Sequence, residues 1–344
     1  MSVEFQIRRQ DFSLSDEQVA LQDSFRAFFE KTVPSSRVRS AEPHGFDEAL
    51  WDELSQQAVV PMTLPESAGG DGAGLVETVL VVEEAGRRAA PVPIADVLAA
   101  ARALARVDVN SELLANVRDH GHVVSVAPGR GERRLVPSGG IAAAVLAPIG
   151  DDLALVTGGA EPILANVASA PIAWWRISGG ANTTVVGSAE DWATTEREWQ
   201  ILTAAALVGL GQAALDLGVQ YAKERAAFGV PIGSFQAIAH PLVDAANAVD
   251  AARRLLWRAA WFSDHEPESV GALALCALIG AGDAAEKAGA TAIHTMGGFG
   301  FTLESDAQLF YRRAKGWAAL VADRRELLRR VARLAPQSLG AGAP

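Results

Sequence analysis

The feature that most constrains the fold is a change of pattern that occurs twice along the chain. Before Val117, apolar side chains recur at helical spacing, as in the stretch that follows Ser15, a predicted helix N-cap. From Val117 to Trp192, short apolar runs such as VVSVAPG and DLALVTG alternate with Gly and Pro, which is typical of short strands. Helical spacing returns at Glu196 and continues to about Ala335. The order of helices, strands and helices predicts an α+β fold.

This pattern predicts four segments. They are an N-terminal helical bundle (1–116), a reduced central β-domain (117–193), a C-terminal helical bundle (194–336) and a flexible Gly- and Ala-rich tail (337–344). In the third segment, one long helix is predicted from Ile201 to Phe228, ended by Gly229 and Pro231. The next helix is predicted to begin at Pro241, because proline is favoured at the first helical position.

Composition excludes several classes of function. The net charge of −11 disfavours a nucleic-acid partner, and a single cysteine, Cys276, excludes a disulfide framework. The first ten residues have no apolar core of a signal peptide, and the apolar run from Val270 to Gly282 is shorter than the ~20 residues of a membrane span. We therefore expect a soluble, cytoplasmic protein with no membrane partner. The acidic residues around His265 predict a loop between helices rather than a metal site.

Two segments of the last third carry a resemblance to a known family. They read YAKERAAFGVPIGSFQ (Tyr221–Gln236) and HTMGGFGFTLESDAQLFYRRAK (His294–Lys315), and they resemble the C-terminal helical domain of acyl-CoA dehydrogenases. Near the N-terminus, FSLSDEQ, LPESAGGDGAGL and VVEEAGRRAAPVP resemble the opening helix, proline loop and following helix of the same family. The resemblance covers nearly the whole chain and is weakest between Val117 and Trp192. It implies an acyl-CoA dehydrogenase-like fold with a C-terminal four-helix bundle, and FAD as the cofactor.

The first of these segments contains three candidate FAD ligands. Arg225 matches the arginine that pairs with the FAD pyrophosphate, and Phe228 matches a phenylalanine that packs against the cofactor. Their spacing of three residues predicts that they share one helix face. Gln236, which follows the predicted N-cap Ser234, matches a glutamine that hydrogen-bonds the FAD of the neighbouring subunit.

The second segment contains a glycine pair. Gly297 and Gly298 match the family's loop that contacts the FAD diphosphate of the neighbouring subunit, where a missing side chain lets backbone N–H groups approach an anion. The family's glutamine three residues earlier is His294 here, which can still donate a hydrogen bond. The resemblance therefore implies that His294, Gly297 and Gly298 form the second part of the FAD site.

Both positions at which the family places its catalytic glutamate are apolar in this chain. One position, six residues after Lys315, is Val321; the other, on the long helix, is Trp199. Glu198 is adjacent to the second position but is expected to point about 100° away on a helix. The family's Thr-Glu-Pro and Gly-Ser-Asp stretches, which bind the flavin ring, are also missing from the β region.

The chain retains the residues that match the family's FAD diphosphate ligands but lacks the catalytic glutamate. This combination favours a subunit of a heteromeric enzyme. The chain resembles the shorter subunit of actinobacterial α2β2 acyl-CoA dehydrogenases, some of which act on steroid side chains. A paralogous partner would supply the flavin-ring pocket and the glutamate that takes the α-proton of an acyl-CoA substrate. Two alternatives remain open: a self-sufficient homomeric flavin dehydrogenase or oxidase with Glu198 as a displaced base, and a non-catalytic scaffold subunit. The sequence does not identify the acyl group.

Overall fold

The N-terminal part of the molecule consists of short helices. The computed structural model describes residues 13–177 and 182–340, with side chains up to residue 334. The first seven helices are α1 (Asp16–Thr32), α2 (Ser35–Ser40), α3 (Glu48–Ser55), α4 (Val59–Thr63), α5 (Leu75–Arg87), α6 (Ile94–Val107) and α7 (Glu112–His120). The side chain of Ser15 accepts a hydrogen bond from the backbone N–H of Gln18, and the Gln18 side chain accepts one from the backbone of Ser15. This capping box confirms Ser15 as the N-cap of α1.

The central part is a small sheet packed against α6 and the long helix that follows it. Its strands are β1 (Val124–Val126), β2 (Arg133–Val136), β3 (Ala144–Ile149), β4 (Asp152–Thr157), β5 (Ala173–Arg176) and β6 (Thr183–Gly187). Four of them form a sheet in the order β1-β3-β4-β6, in which β1 is parallel to β3 and the other pairs are antiparallel, while β2 and β5 form a separate antiparallel pair. Trp175 fills the space beside β2 and donates its indole N–H to the carbonyl of Gly139 at 2.8 Å.

The C-terminal part is built around one long helix. Its elements are α8 (Ala189–Glu224), a short hairpin of β7 (Ala226–Ala227) and β8 (Val230–Pro231), α9 (Gln236–His265), α10 (Pro267–Val270), α11 (Leu273–Met296), α12 (Asp306–Val321) and α13 (Arg324–Gly340). Helix α8 packs against α5, α6, α9, α11 and α12, so it joins the N-terminal helices to the C-terminal bundle. By length and composition α8 could cross a membrane, but 67% of its apolar window is buried inside the protein, as expected of a core helix.

Small residues bring the backbones of α5 and α8 close together. A Cβ added at Gly209 of α8 would overlap the carbonyl oxygen of Glu83, and one added at Gly86 of α5 would overlap the carbonyl of Ala206. The two glycines therefore set the distance between these helices, and a side chain at either position would force them apart.

Several predicted boundaries are wrong. The long helix begins at Ala189, within the segment predicted as β-domain, and it ends at Glu224 rather than Phe228. Helix α9 begins at Gln236 and contains Pro241 in its second turn, where the proline lacks the N–H that would otherwise bond to the carbonyl of Ala237. Helix α7 crosses the predicted boundary at 116/117, and α13 continues to Gly340, so residues 337–340 are helical. Residues 341–344 of the predicted tail lie outside the described residues.

Candidate functional site

A tight hairpin follows α8 and carries the first candidate ligands. Arg225 is the C-cap of α8 and has an extended backbone, so Arg225 and Phe228 do not share a helix face as predicted. The chain reverses at Phe228 and Gly229, which have φ values of 53° and 82°, the combination required by a two-residue type I′ turn. The backbone N–H of Ile232 then donates to the carbonyl of Arg225 at 2.7 Å and fixes the base of the hairpin.

Phe228 is unusual in both backbone and exposure. A positive φ is unfavourable for a bulky side chain, and the Phe228 side chain is 96% exposed. Its ring makes an edge-to-face contact with Phe235 at a centroid distance of 6.1 Å. Since strain of this kind persists where function requires it, the exposed ring indicates a surface that meets a ligand or another chain.

The two polar side chains predicted to bind FAD together with Phe228, those of Arg225 and Gln236, are exposed and have no bonding partner among the described residues. Within residues 13–177 and 182–334, neither the guanidinium of Arg225 nor the side-chain amide of Gln236 forms a hydrogen bond or an ion pair. Helix α9 begins at Gln236 with Phe235 as its N-cap. Ser234 is not the N-cap, because it lies in a 3₁₀ turn, Ile232–Ser234, and its hydroxyl donates to the carbonyl of Pro231. Arg225 and Gln236 are thus free to contact an external group.

The glycine pair lies where α11 ends. Gly297 is the C-cap, with a φ of 61°, and a short 3₁₀ turn, Gly297–Phe301, follows. A Cβ added at Gly297 or Gly298 would meet nothing within 4 Å, so the space in front of this backbone is open. His294 is exposed in the last turn of the same helix. The N–H of Gly297 already donates to the carbonyl of His294, so this turn offers open space for a ligand while the Gly297 donor is used within the protein.

Packing between α8 and α11 brings the two groups of ligands to one end of the bundle. Tyr221, one turn before Arg225, packs with Leu217 against a cluster formed by Ile293 and Met296 of α11. Ile293 is the neighbour of His294. All six predicted FAD ligands are exposed on this end of the molecule. They are Arg225, Phe228, Gln236, His294, Gly297 and Gly298. The structure shows no direct bond between the two groups.

The two positions expected for a catalytic glutamate lie elsewhere, at a half-open cavity between α5, α6, α8, α12 and the loops beside them. Trp199 and Val321 both line it, and their side chains are 1% and 7% exposed. The cavity has a volume of about 100 Å³. Sites for cofactors and drug-sized ligands usually have volumes of about 300–1,000 Å³. The cavity is therefore too small for an acyl group together with a flavin ring.

Asp96, which the sequence analysis missed, carries a carboxyl group on the wall of this cavity. One of its oxygens accepts a hydrogen bond from the indole N–H of Trp199 at 2.7 Å, and the other accepts from the hydroxyl of Ser138. Burial raises the pKa of Asp96 despite these two bonds. The signal in the sequence is a single carboxylate within the apolar run IADVLAAARAL, but its partners lie far away along the chain.

Glu198 lies on the other side of α8, in a polar cleft, and does not line the cavity. Its two oxygens pair with Arg102 at 3.0 Å and Arg106 at 2.6 Å. Burial alone would raise the pKa of Glu198, but the two guanidinium groups outweigh burial and hold this pKa below its ordinary value. A carboxylate stabilised in this way is a weak proton acceptor. The described residues contain no group of His, Cys, Asp and Glu side chains suited to a metal ion.

Comparison with known proteins shows to which family the chain belongs. Residues 15–110 match the model of the acyl-CoA dehydrogenase N-terminal domain, and residues 197–320 match the model of the C-terminal domain. The chain belongs to the acyl-CoA dehydrogenase family. Family members are FAD-dependent oxidoreductases that act on CH–CH bonds.

Two relatives align with this chain over most of their length. Acyl-CoA dehydrogenase IpdE2 of Mycobacterium tuberculosis is 31% identical over 332 residues, which cover 92% of this chain and 96% of IpdE2. IpdE2 of Mycolicibacterium smegmatis is 32% identical over 322 residues, with 92% and 98% coverage.

Two solved structures also share this fold. The Tcur3481–Tcur3483 steroid ACAD, solved as a variant, has a TM-score of 0.85 at 26% identity and covers 96% of this chain and 100% of its own. The ChsE4–ChsE5 complex of Mycobacterium tuberculosis has a TM-score of 0.85 at 24% identity, with 97% and 100% coverage. The acyl-CoA dehydrogenase fold predicted from the sequence is confirmed.

The residues present fit one half of an FAD molecule. The unpaired guanidinium of Arg225 suits a diphosphate, which is anionic and rich in acceptor oxygens, and the open space in front of Gly297 and Gly298 leaves room for it. The cavity beside Trp199 does not suit the isoalloxazine ring, because its volume is about 100 Å³. The chain therefore offers groups for the tail of FAD but no pocket of sufficient size for its ring beside Trp199 and Val321.

Proposed function

We propose that this chain is the shorter subunit of a heteromeric acyl-CoA dehydrogenase. In this proposal, Arg225, Phe228, Gln236, His294, Gly297 and Gly298 contact an FAD whose ring is held by a paralogous subunit. The partner also supplies the glutamate that removes the α-proton of an acyl-CoA thioester, while the flavin accepts the β-hydride. The active unit thus needs both chains.

The observation that carries the proposal is the separation of the two halves of the site. The residues proposed to bind the diphosphate are exposed on one end of the bundle, as is Phe228, which is 96% exposed and has a positive φ. Trp199 and Val321, at the expected base positions, are buried against a small cavity. A chain with this arrangement can complete the site of another subunit but cannot house its own substrate and flavin ring at the usual place.

The similar structures support an assembly of two different chains. The ChsE4–ChsE5 and Tcur3481–Tcur3483 structures are each named for two proteins, and the second is described as a steroid ACAD. We infer by analogy an α2β2 assembly, and a substrate that is the CoA thioester of a steroid or lipid side chain. The cytoplasmic location stays a prediction.

The geometry gives less support to a self-sufficient enzyme that uses Glu198. Its carboxylate is held between Arg102 and Arg106 and lies outside the cavity that contains Trp199 and Val321. A scaffold role gives no reason for an exposed Arg225 to remain unpaired on the same end of the bundle as the open turn at Gly297 and Gly298.

Co-expression with a paralogue tests the proposal. The chain is purified alone and together with an acyl-CoA dehydrogenase that retains the family glutamate, and oxidation of an acyl-CoA panel is followed with an artificial electron acceptor. We expect turnover from the complex only, with loss of turnover when the partner's glutamate is replaced by glutamine. Glu198→Gln in this chain should leave the turnover per folded complex unchanged. Turnover by the isolated chain that disappears in Glu198→Gln would establish the homomeric alternative instead.

A further inference from the structure

The connection between α11 and α12 (residues 297–305) contains the glycine pair but buries little apolar surface of its own. The side chains of Phe301 and Leu303 are 74% and 76% exposed. Gly300 is buried against α11, where an added Cβ would lie 2.8 Å from the carbonyl oxygen of Ile293. Since a segment with few buried contacts opens easily, the shape of this connection depends on how its two ends are held.

The two ends of the connection meet at Ser305. Its side chain is buried, and its hydroxyl donates to the sulfur of Met296, the residue directly before Gly297, at 3.6 Å. The same oxygen accepts a hydrogen bond from the backbone N–H of Ala307 and thereby caps α12. Ser305 therefore fixes the start of α12 against the end of α11.

Arg39 of α2 holds this junction from the N-terminal part of the molecule, 266 residues earlier in the sequence than Ser305. Its Nη2 donates to the carbonyl of Ser305 at 3.1 Å and to Oδ1 of Asp306 at 2.6 Å. The other oxygen of Asp306 accepts from the hydroxyl of Ser35 at 2.6 Å. The side chains of Arg39 and Asp306 are 29% and 30% exposed, so water screens their attraction only in part.

Helix α12 has a second tie to the N-terminal part, further along the helix. Arg312 and Arg313 donate to Oε1 of Glu42, which follows α2, at 2.7 and 3.0 Å. These bonds do not involve the connection. Loss of Arg39 should therefore loosen the connection while α12 stays packed in the bundle.

We propose that Arg39 is a positioning residue for the FAD site. By holding Ser305 and Asp306, it fixes the path of the backbone around Gly297 and Gly298, so that FAD meets a preformed turn and does not have to order it on binding. Arg39 itself contacts no atom of FAD. The inference rests on the proposed function, because positioning of this turn matters only in a chain that contacts FAD.

Amide hydrogen exchange of the isolated full-length chain tests the hold on the connection. Arg39→Met removes the donor. Arg312→Met is the matched control, because its side chain is 31% exposed and also pairs across the contact between α12 and the N-terminal part, but away from the connection. Exchange of the amides at 297–307 should be about fivefold faster in Arg39→Met, as expected at the upper end for a partly exposed ion pair, and unchanged in Arg312→Met. Arg39→Lys keeps a charged donor and should recover part of the protection.

Equilibrium dialysis of FAD against the complex with the paralogous partner tests the consequence. Arg39→Met should weaken FAD binding by about three- to fivefold, because a turn that is ordered for a smaller fraction of the time lowers the apparent affinity in proportion. Arg312→Met should leave the affinity unchanged, and the two variants should unfold at similar temperatures. If Arg39→Met fails to fold, Asp306→Asn removes the same charged contact and decides the outcome.

Three results would overturn the inference: unchanged exchange at 297–307, unchanged FAD affinity in Arg39→Met, or an equal loss of FAD affinity in Arg312→Met. The proposed function fails in a different way, with an unmodified complex that binds no FAD, and the role of Arg39 then falls with it. An unmodified complex that binds FAD no more tightly than the Arg39→Met complex contradicts the role of Arg39 alone.

Discussion

Replacing Arg225 by alanine should loosen the flavin of the heteromeric complex without affecting the fold of this chain. The guanidinium has no partner among the described residues, and the residue lies beyond the last turn of α8. Its removal therefore breaks no internal hydrogen bond or ion pair, and the unfolding free energy of the isolated chain should stay constant.

The size of the effect follows from the bonds that a guanidinium makes to a diphosphate. One hydrogen bond to a charged group contributes about 1.5 kcal/mol at the low end of its range, and a bidentate pair about 3 kcal/mol. These energies correspond to a weakening of about tenfold to 150-fold in the dissociation constant of FAD. Arg225→Lys retains the charge but not the fork of donors, so its effect should be intermediate.

The assay is equilibrium dialysis of FAD against the purified complex, supported by the fluorescence of released flavin. Lys223→Ala is the matched control, because it removes a positive charge from the last turn of the same helix and should change the affinity by no more than about twofold. An Arg225→Ala complex that holds FAD as tightly as the unmodified complex would refute the assignment of Arg225 to the diphosphate.

Three further predictions concern the strained turn, the packing of α8 and the buried carboxyl. Phe228→Gly should stabilise the isolated chain by up to about 1 kcal/mol in urea unfolding, since glycine tolerates a φ of 53°. The same substitution should weaken FAD retention by the complex. A loss of stability would show that the backbone at Phe228 is not strained. Gly209→Ala should destabilise the fold by about 1–3 kcal/mol or more, because the added Cβ would overlap the carbonyl of Glu83. Gly280→Ala should be tolerated, because its Cβ would lie 3.8 Å from its nearest neighbour. Equal losses of stability in the two variants would contradict the close packing of α5 and α8. Folding raises the pKa of Asp96 above its unfolded value of about 3.9. The free energy of unfolding of the unmodified chain, relative to that of Asp96→Asn, should therefore fall as pH rises above this value and level off above the folded pKa. A difference between the two chains that does not change with pH would contradict the shift.

The sequence predicted the parts of the fold that depend on local signals. Ser15, the predicted N-cap, forms a capping box with Gln18 at the start of α1. Helix α7 was missed although its signals are local: Ser111 caps it, and Gly121 ends it with a positive φ. An amphipathic helix beside the first strand is hard to separate from the strand by periodicity alone.

Other features depend on contacts that no local pattern reveals. The end of α8 at Glu224 was missed because the turn uses Phe228 at a positive φ, a conformation that sequence rules assign to glycine and asparagine. Asp96 was missed because its partner Trp199 lies 103 residues away along the chain. The meeting of Trp199 and Val321 at one cavity likewise requires α8 and α12 to pack together. The predicted FAD contacts themselves remain a proposal.

The flavin content of the purified protein distinguishes a subunit that completes its partner's FAD site from one that binds FAD alone. FAD is quantified by absorbance per chain, first for this subunit expressed alone and then for the complex with its paralogous partner. We expect almost no FAD in the isolated subunit and one FAD per heterodimer in the complex. Stoichiometric FAD in the isolated subunit, with the ring shielded from solvent, would contradict this expectation.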